Sequence, residues 1–130
     1  MNFAIQVNTS PYQCQGGDTG YQFIKAALSK GHQIGRVFFY HDGIYQGLRF
    51  ATPPMDERHP IRRWSALARE YGLDLVICIS AAQRRGLLVG EEAARVGKLD
   101  QDLAEGFRIA GLGLWIEACM KADRVLIFGR

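Results

Sequence analysis

The stretch LDLVICISAAQRRG, residues 73–86, decides the fold. From Leu73 to Ile79 it is apolar at almost every position and rich in branched side chains. That is how a strand reads when both faces of a parallel sheet are covered. Ser80 to Arg85 then turns helix-prone and Gly86 breaks it, so a buried strand runs directly into a short helix. The same alternation extends outward in both directions.

Upstream, Val37-Phe38-Phe39-Tyr40, preceded by Ile34, forms a second near-continuous apolar run that ends at His41-Asp42-Gly43. Between it and residue 73, Ile44 to Glu57 shows no period and contains Pro53-Pro54, which predicts a loop with a short helical piece at most. Pro60 then stands at a helix start, with Ile61, Trp64, Leu67, Ala68 and Tyr71 as its apolar stripe and Gly72 as its end. Earlier still, Phe3, Ile5 and Val7 alternate as a strand before the turn-rich loop NTSPYQCQGG. Asp18 is the expected N-cap of the next helix, whose stripe is Tyr21, Ile24, Ala27 and Leu28 and whose end is Lys30-Gly31.

Downstream, residues 87–108 are mixed and polar, with EEAAR as a helical turn and FRI as a short extended piece. Leu112, Trp115, Ile116, Cys119 and Met120 fall on one face of a last helix, and Val125 to Phe128 makes a terminal strand. The expected fold is a single domain over residues 1–130. It is a small doubly wound α/β domain, Rossmann- or flavodoxin-like, with a parallel sheet and helices on both faces. In such sheets reactive groups gather outside the carboxyl ends of the strands. The Tyr12-Gln13-Cys14 loop, the His41-Asp42-Gly43 turn and Cys78 should therefore lie along one edge.

Composition narrows the chemistry. No apolar run reaches bilayer-spanning length, and a net charge of +3, with Arg62-Arg63 and Arg84-Arg85 as the only notable basic doublets, is too mild to imply nucleic acid. The N-terminal MNFAIQVNTS lacks a basic n-region, so it reads as neither signal nor transit peptide, and a cytoplasmic protein is expected. Three cysteines without a CxxC pair, among isolated histidines, argue against a disulfide framework, a dithiol redox cycle and a zinc site.

Cys119 sits in an apolar helical stripe, where a thiol behaves as a small hydrophobe. Cys14 lies in a polar loop with no neighbouring basic group. Cys78 stands at the end of a central strand, where the start of a short helix, with Arg84 or Arg85 nearby, would favour a thiolate. Its bland alternative is a buried cysteine within an apolar strand, just as Arg84-Arg85 also reads as a solvated helix face. A lone thiolate, without a Cys/His/Asn arrangement for acyl transfer, suits exchange chemistry that takes sulfur from a persulfide and hands it on.

The segments PYQCQGGDTGYQFIKAAL, VFFYHDGIYQG, LDLVICISAAQRRG and GLGLWIEACMKADRVLIFG, in this order across the chain, closely resemble the DsrE/TusD family of sulfur-relay proteins. The resemblance implies a sulfurtransferase whose persulfide is carried on Cys78, with no cofactor. It also implies a heterohexamer with DsrF/TusC-like and DsrH/TusB-like subunits, a TusA-like donor and a DsrC/TusE-like acceptor. The pathway would be sulfur oxidation with the dissimilatory sulfite reductase system, or 2-thiouridine formation in tRNA, and PYQCQGGD and FYHDG look more DsrE-like than TusD-like. Arg84 and Arg85 are candidates for stabilising the anionic persulfide. Cys14 is a candidate accessory thiol, since a 2-1-3 strand order would bring its loop beside Cys78. Phe50, Leu87 and Leu88 are candidates for apolar surface at an interface.

Two other classes remain. A flavodoxin-like small-ligand module would use Gly16-Gly17 and Thr19, although GxGxxG and a P-loop lysine are missing. An RNA-binding surface would use the Arg doublets.

Overall fold

A computed structural model describes all 130 residues. Five strands, β1 (Asn2–Val7), β2 (Gln33–Phe39), β3 (Leu75–Cys78), β4 (Phe107–Ala110) and β5 (Arg124–Phe128), form one sheet in the order β4-β3-β2-β1-β5. Every adjacent pair is parallel. The helices are α1 (Gly16–Ser29), α2 (Pro60–Tyr71), α3 (Ile79–Arg84), α4 (Gly90–Arg95) and α5 (Leu112–Lys121), with a 3-10 segment over His41–Gly47. No helix is long and apolar enough to cross a membrane.

The crossovers dictate the layers. From β1 to β3 the chain steps in one direction, so right-handed connections put α1 and α2 on the same face; the return to β5 puts α5 on the other. Consecutive residues of β2 record both contacts. Phe39 meets Trp64 of α2 edge-on at 5.2 Å between centroids, while Phe38 stacks on Trp115 of α5 at 5.7 Å. Strand alternation thus splits Phe38 and Phe39 between two cores, and both rings are fully buried.

Several expectations change. The strand order is not 2-1-3: β2 lies between β1 and β3, so the Cys14 loop does not neighbour the Cys78 edge. Gln15, not Asp18, is the N-cap of α1, because Gly16 and Gly17 accept helical geometry and draw Asp18 into the first turn. Strand β3 is shorter than its apolar run, since Ile79 already begins α3. Leu87 belongs to the core and Leu88 is half-buried, leaving only Phe50 of that trio exposed. Of the stripe on α5, Trp115 is buried, whereas Leu112, Ile116 and Met120 are exposed. Pro60 at the start of α2 and left-handed Gly72 at its end are as expected.

Asp74 fastens the opposite edge of the sheet. Its carboxylate accepts from Arg36 of β2 at 2.6 Å and from two nitrogens of Arg108 of β4 at 2.8 and 2.9 Å, and Arg36 also donates to the Leu114 carbonyl of α5. The hydrogen bond from Arg108, then that from Arg36, outweighs partial burial and holds the Asp74 carboxyl below its ordinary range. A depressed carboxylate stabilises the fold fully above its unfolded pKa, near 3.9, and loses that contribution as pH falls through the lower folded value. Asp74→Asn should therefore cost about 1 kcal/mol at neutral pH. In urea melts, the gap from wild type should close below about pH 4.

Candidate functional site

The carboxyl edge of the sheet is built around the 3-10 segment that follows β2. Its entry requires His41 to take φ of 49°, the sole positive φ outside glycine, with the imidazole lying 4.1 Å from the Tyr40 ring between centroids. Gly43 then passes so close to β1 that a Cβ would sit 2.0 Å from the Val7 carbonyl oxygen. This turn drives Gln46 into the interior, where it is 2% exposed. Its amide nitrogen donates to the Thr9 carbonyl at 2.9 Å and its oxygen accepts from the Trp64 indole at 3.0 Å. One side chain thus joins the loop after β1, the segment after β2 and α2.

Cys78 ends β3 and is the N-cap residue of α3, as the apolar run turning into SAAQRRG implies. Phe39 pairs with Ile77 in register, so Tyr40 is next to Cys78 across the strands, and the 3-10 segment packs against both β3 and α3. Cys78 is 1% exposed and its sulfur makes no capping hydrogen bond. Arg85 is occupied: its Nε donates to Asp42 at 2.8 Å and an Nη donates to the Ala81 carbonyl. That ion pair ties the end of α3 to the turn after β2. Arg84 is exposed.

The other thiols lie apart. Cys14 is half-buried before α1, accepts from the Gly16 amide at 3.4 Å, and lines a cleft between the beginnings of α1 and α2. Cys119 is half-buried on α5, and burial pushes its thiol pKa up. Gln46 is not marked in the sequence, because it is a polar residue in an aperiodic segment where nothing in spacing distinguishes a buried amide from a solvated one; the His41-Asp42-Gly43 turn lies at the carboxyl edge as expected.

The model of the DsrE/DsrF-like family matches residues 1–128. The chain belongs to this family. It is 54% identical over 129 residues to the putative sulfurtransferase DsrE of Allochromatium vinosum, covering 99% of both chains. It is 41% identical over 128 residues to a sulfurtransferase TusD homolog of Vibrio vulnificus, covering 98% of each. The crystal structure of the ychN protein from E. coli has the same fold, with a TM-score of 0.78 at 20% identity over 98% of this chain and 99% of that one. The matched residues take in all five strands and all five helices.

The Gln46 arrangement requires glycine at position 17, where a Cβ would stand 2.2 Å from the Gln46 amide nitrogen. Gly17→Ala should break one of that amide's bonds and destabilise the fold by roughly 2–4 kcal/mol. Thermal and urea melts of Gly17→Ala, Gln46→Ala and the double variant would measure it. The double variant should lose markedly less than the sum, since the smaller residue at 46 makes room for the methyl.

Proposed function

We propose that the chain is a DsrE-type sulfurtransferase subunit that carries sulfane sulfur as a persulfide on Cys78. The observation that carries this reading is a thiol at the carboxyl end of the interior strand β3, heading a helix, in a chain 54% identical to a protein named a putative sulfurtransferase. In the reaction, the Cys78 thiolate attacks the outer sulfur of a donor persulfide. A new S–S bond forms on Cys78, the donor's S–S bond breaks, and the donor leaves as a thiolate. The sulfane sulfur keeps its oxidation state, so no oxidant enters. An acceptor thiolate then repeats the attack, and Cys78 returns to the thiolate. Donor and acceptor are of TusA-like and DsrC/TusE-like type.

Burial of Cys78 adds a condition. Helix α3 has only six residues and no side-chain cap, and the Arg85–Asp42 pair is its visible tether. Transfer requires the start of this helix to open when a partner docks, and short, weakly tethered segments are the ones that open locally. Arg84, exposed on the same helix, is free to meet the partner or the anionic persulfide, whereas Arg85 serves chiefly as the tether.

Assembly with DsrF/TusC-like and DsrH/TusB-like subunits in the cytoplasm accompanies this reading. Support comes from an exposed apolar face made by Leu112, Ile116 and Met120 of α5 with Val125 and Ile127 of the edge strand β5. Exposed large apolar residues in this number suit a protein interface. The greater identity to DsrE than to the TusD homolog favours sulfur oxidation over tRNA thiolation.

Incubation with a persulfide donor should add one sulfur atom to the intact protein, reversibly by dithiothreitol, and Cys78→Ser should abolish the gain; persistence of the added mass in that variant would refute the assignment. The tether makes a second expectation. Asp42→Asn should raise the alkylation rate of Cys78 by about threefold, corresponding to loss of roughly 0.7 kcal/mol from the closed state. An unchanged rate would remove the Arg85–Asp42 pair from the gating role.

A further inference from the structure

We infer that the first turn of α5, Gly111-Leu112-Gly113, holds the outer sulfur of a loaded Cys78 through the backbone amides of Leu112 and Gly113. This rests on the relay reading and adds the groups that receive the persulfide once it has formed. Strand alternation carries it. Phe38 stacks on Trp115 of α5, whereas Phe39 meets Trp64 of α2. Phe38 pairs with Val76 and Phe39 with Ile77, so Val76 and Cys78 face α5 while Leu75 and Ile77 face α2. Two ring contacts agree with that division: Tyr40 packs on Phe38 at 6.3 Å between centroids, and Phe107, the partner of Leu75, packs on Phe39 at 5.4 Å. The thiol therefore points to the α5 side of the sheet, between Tyr40 and its own partner Ala110.

Helix α5 starts there without a loop. Ala110 ends β4, Gly111 is the N-cap and Leu112 is the first helical residue. No side chain caps this helix of ten residues, and the Leu114 amide already donates to the Gly111 carbonyl at 3.2 Å, which leaves Leu112 and Gly113 as the unanswered donors at its positive end. Residues 111 to 113 are exposed, and a Cβ added at Gly111 or Gly113 would meet nothing within 4 Å, so open space adjoins both amides. The thiol is in the opposite condition. Cys78 is 1% exposed and its sulfur makes no capping hydrogen bond. Loading changes what it needs, because the outer sulfur lies about 2 Å beyond Sγ, carries the negative charge and accepts hydrogen bonds. Glycines on both sides of Leu112 let an atom as large as sulfur approach the backbone.

Proline separates the amide from the side chain. Leu112 occupies the first helical position, where proline is favoured, and Gly111 before it is extended at φ −85° and ψ 174°, as a residue preceding proline must be. Leu112→Pro thus deletes one N–H and keeps the helix. Gly111→Asp supplies a better N-cap, whose carboxylate competes for the first-turn amides and repels the persulfide. The full chain would be equilibrated with glutathione persulfide in excess glutathione. In that exchange the outer sulfur passes to Cys78, and glutathione leaves with the proton of the thiol. Peptide masses after alkylation would give the ratio of loaded to unloaded Cys78.

Leu112→Pro should lower this ratio about threefold, and Leu112→Ala, which keeps the N–H, should restore it. Gly111→Asp should lower it as well while raising the melting temperature. A merely structural role for the turn would move loading and stability together, not in opposite directions. Wild-type loading in folded Leu112→Pro, or in Gly111→Asp, would overturn the inference. If Leu112→Pro does not fold, Gly111→Asp decides alone. Absence of any sulfur gain at Cys78 in the wild-type chain would overturn the relay reading and this inference with it, whereas equal loading of the wild type and both variants removes only the role of the amides.

Discussion

The buried amide of Gln46 is the joint on which the carboxyl edge depends. It is enclosed, yet both of its bonding atoms are used, one on the Thr9 carbonyl and one on the Trp64 indole. A polar group in that position costs free energy unless every bond is made, so it specifies one arrangement of three chain segments and tolerates no slippage among them. Trp64 in turn meets Phe39 of β2 and Tyr21 of α1, so the orientation of the indole passes the constraint into the core. Gly17 and Gly43 are consequences of the same closeness. Each leaves room where a methyl group would collide, with Gln46 in one case and the β1 backbone in the other.

From that joint follows the separation of the thiols. The strand order β4-β3-β2-β1-β5 inserts β2, with its 3-10 segment, between the loop of Cys14 and the end of β3. Cys78 therefore lies next to Tyr40 across the strands, at the head of the helix whose far end pairs Arg85 with Asp42, and Cys14 shares its cleft with Arg58, Arg63 and Asp18. Direction reverses between β1 and β5, so the usual ligand position of a doubly wound sheet is on the Cys14 side. The proposed relay on Cys78 of β3 would not use that position.

What could be read from the residues was what short-range pattern controls. LVIC followed by ISAAQR carries both the strand and the helix in its composition, so Cys78 could be placed at their junction without coordinates. Pro60 and Gly72 likewise bound α2 by their own backbone preferences. Strand order was not legible, because apolar runs such as VFFY and LVIC fit any interior position of a parallel sheet. The stripe on α5 misled for a related reason. Leu112, Ile116 and Met120 have core spacing, but only Trp115 and Ala118 reach the sheet closely enough to be buried, and periodicity cannot say which surface covers the rest. Asp18 was a fair N-cap by type, overruled because two preceding glycines let the helix begin earlier. Burial of Leu87 depended on the turn at Gly86, whose φ of 78° folds the chain back so that the Leu87 amide meets the Ala82 carbonyl.

On the proposed reading of Cys78 as a sulfur carrier, its burial would have a physical sense. A persulfide exposed to solvent is open to oxidation and to exchange with any small thiol, because thiolate character and access together set those rates. Enclosure suppresses both, but it also slows the wanted transfer, and a fixed enclosure would abolish it. A short helix resolves the conflict. Six residues bury little apolar area, here chiefly Ala81 and Ala82, so opening sacrifices few contacts. The Arg85–Asp42 pair is half exposed and correspondingly weak, enough to bias the segment closed without locking it. A partner that offers a carboxylate to Arg85, or apolar surface to the exposed Ile79, would compete for those same contacts and couple its own docking to access at the sulfur.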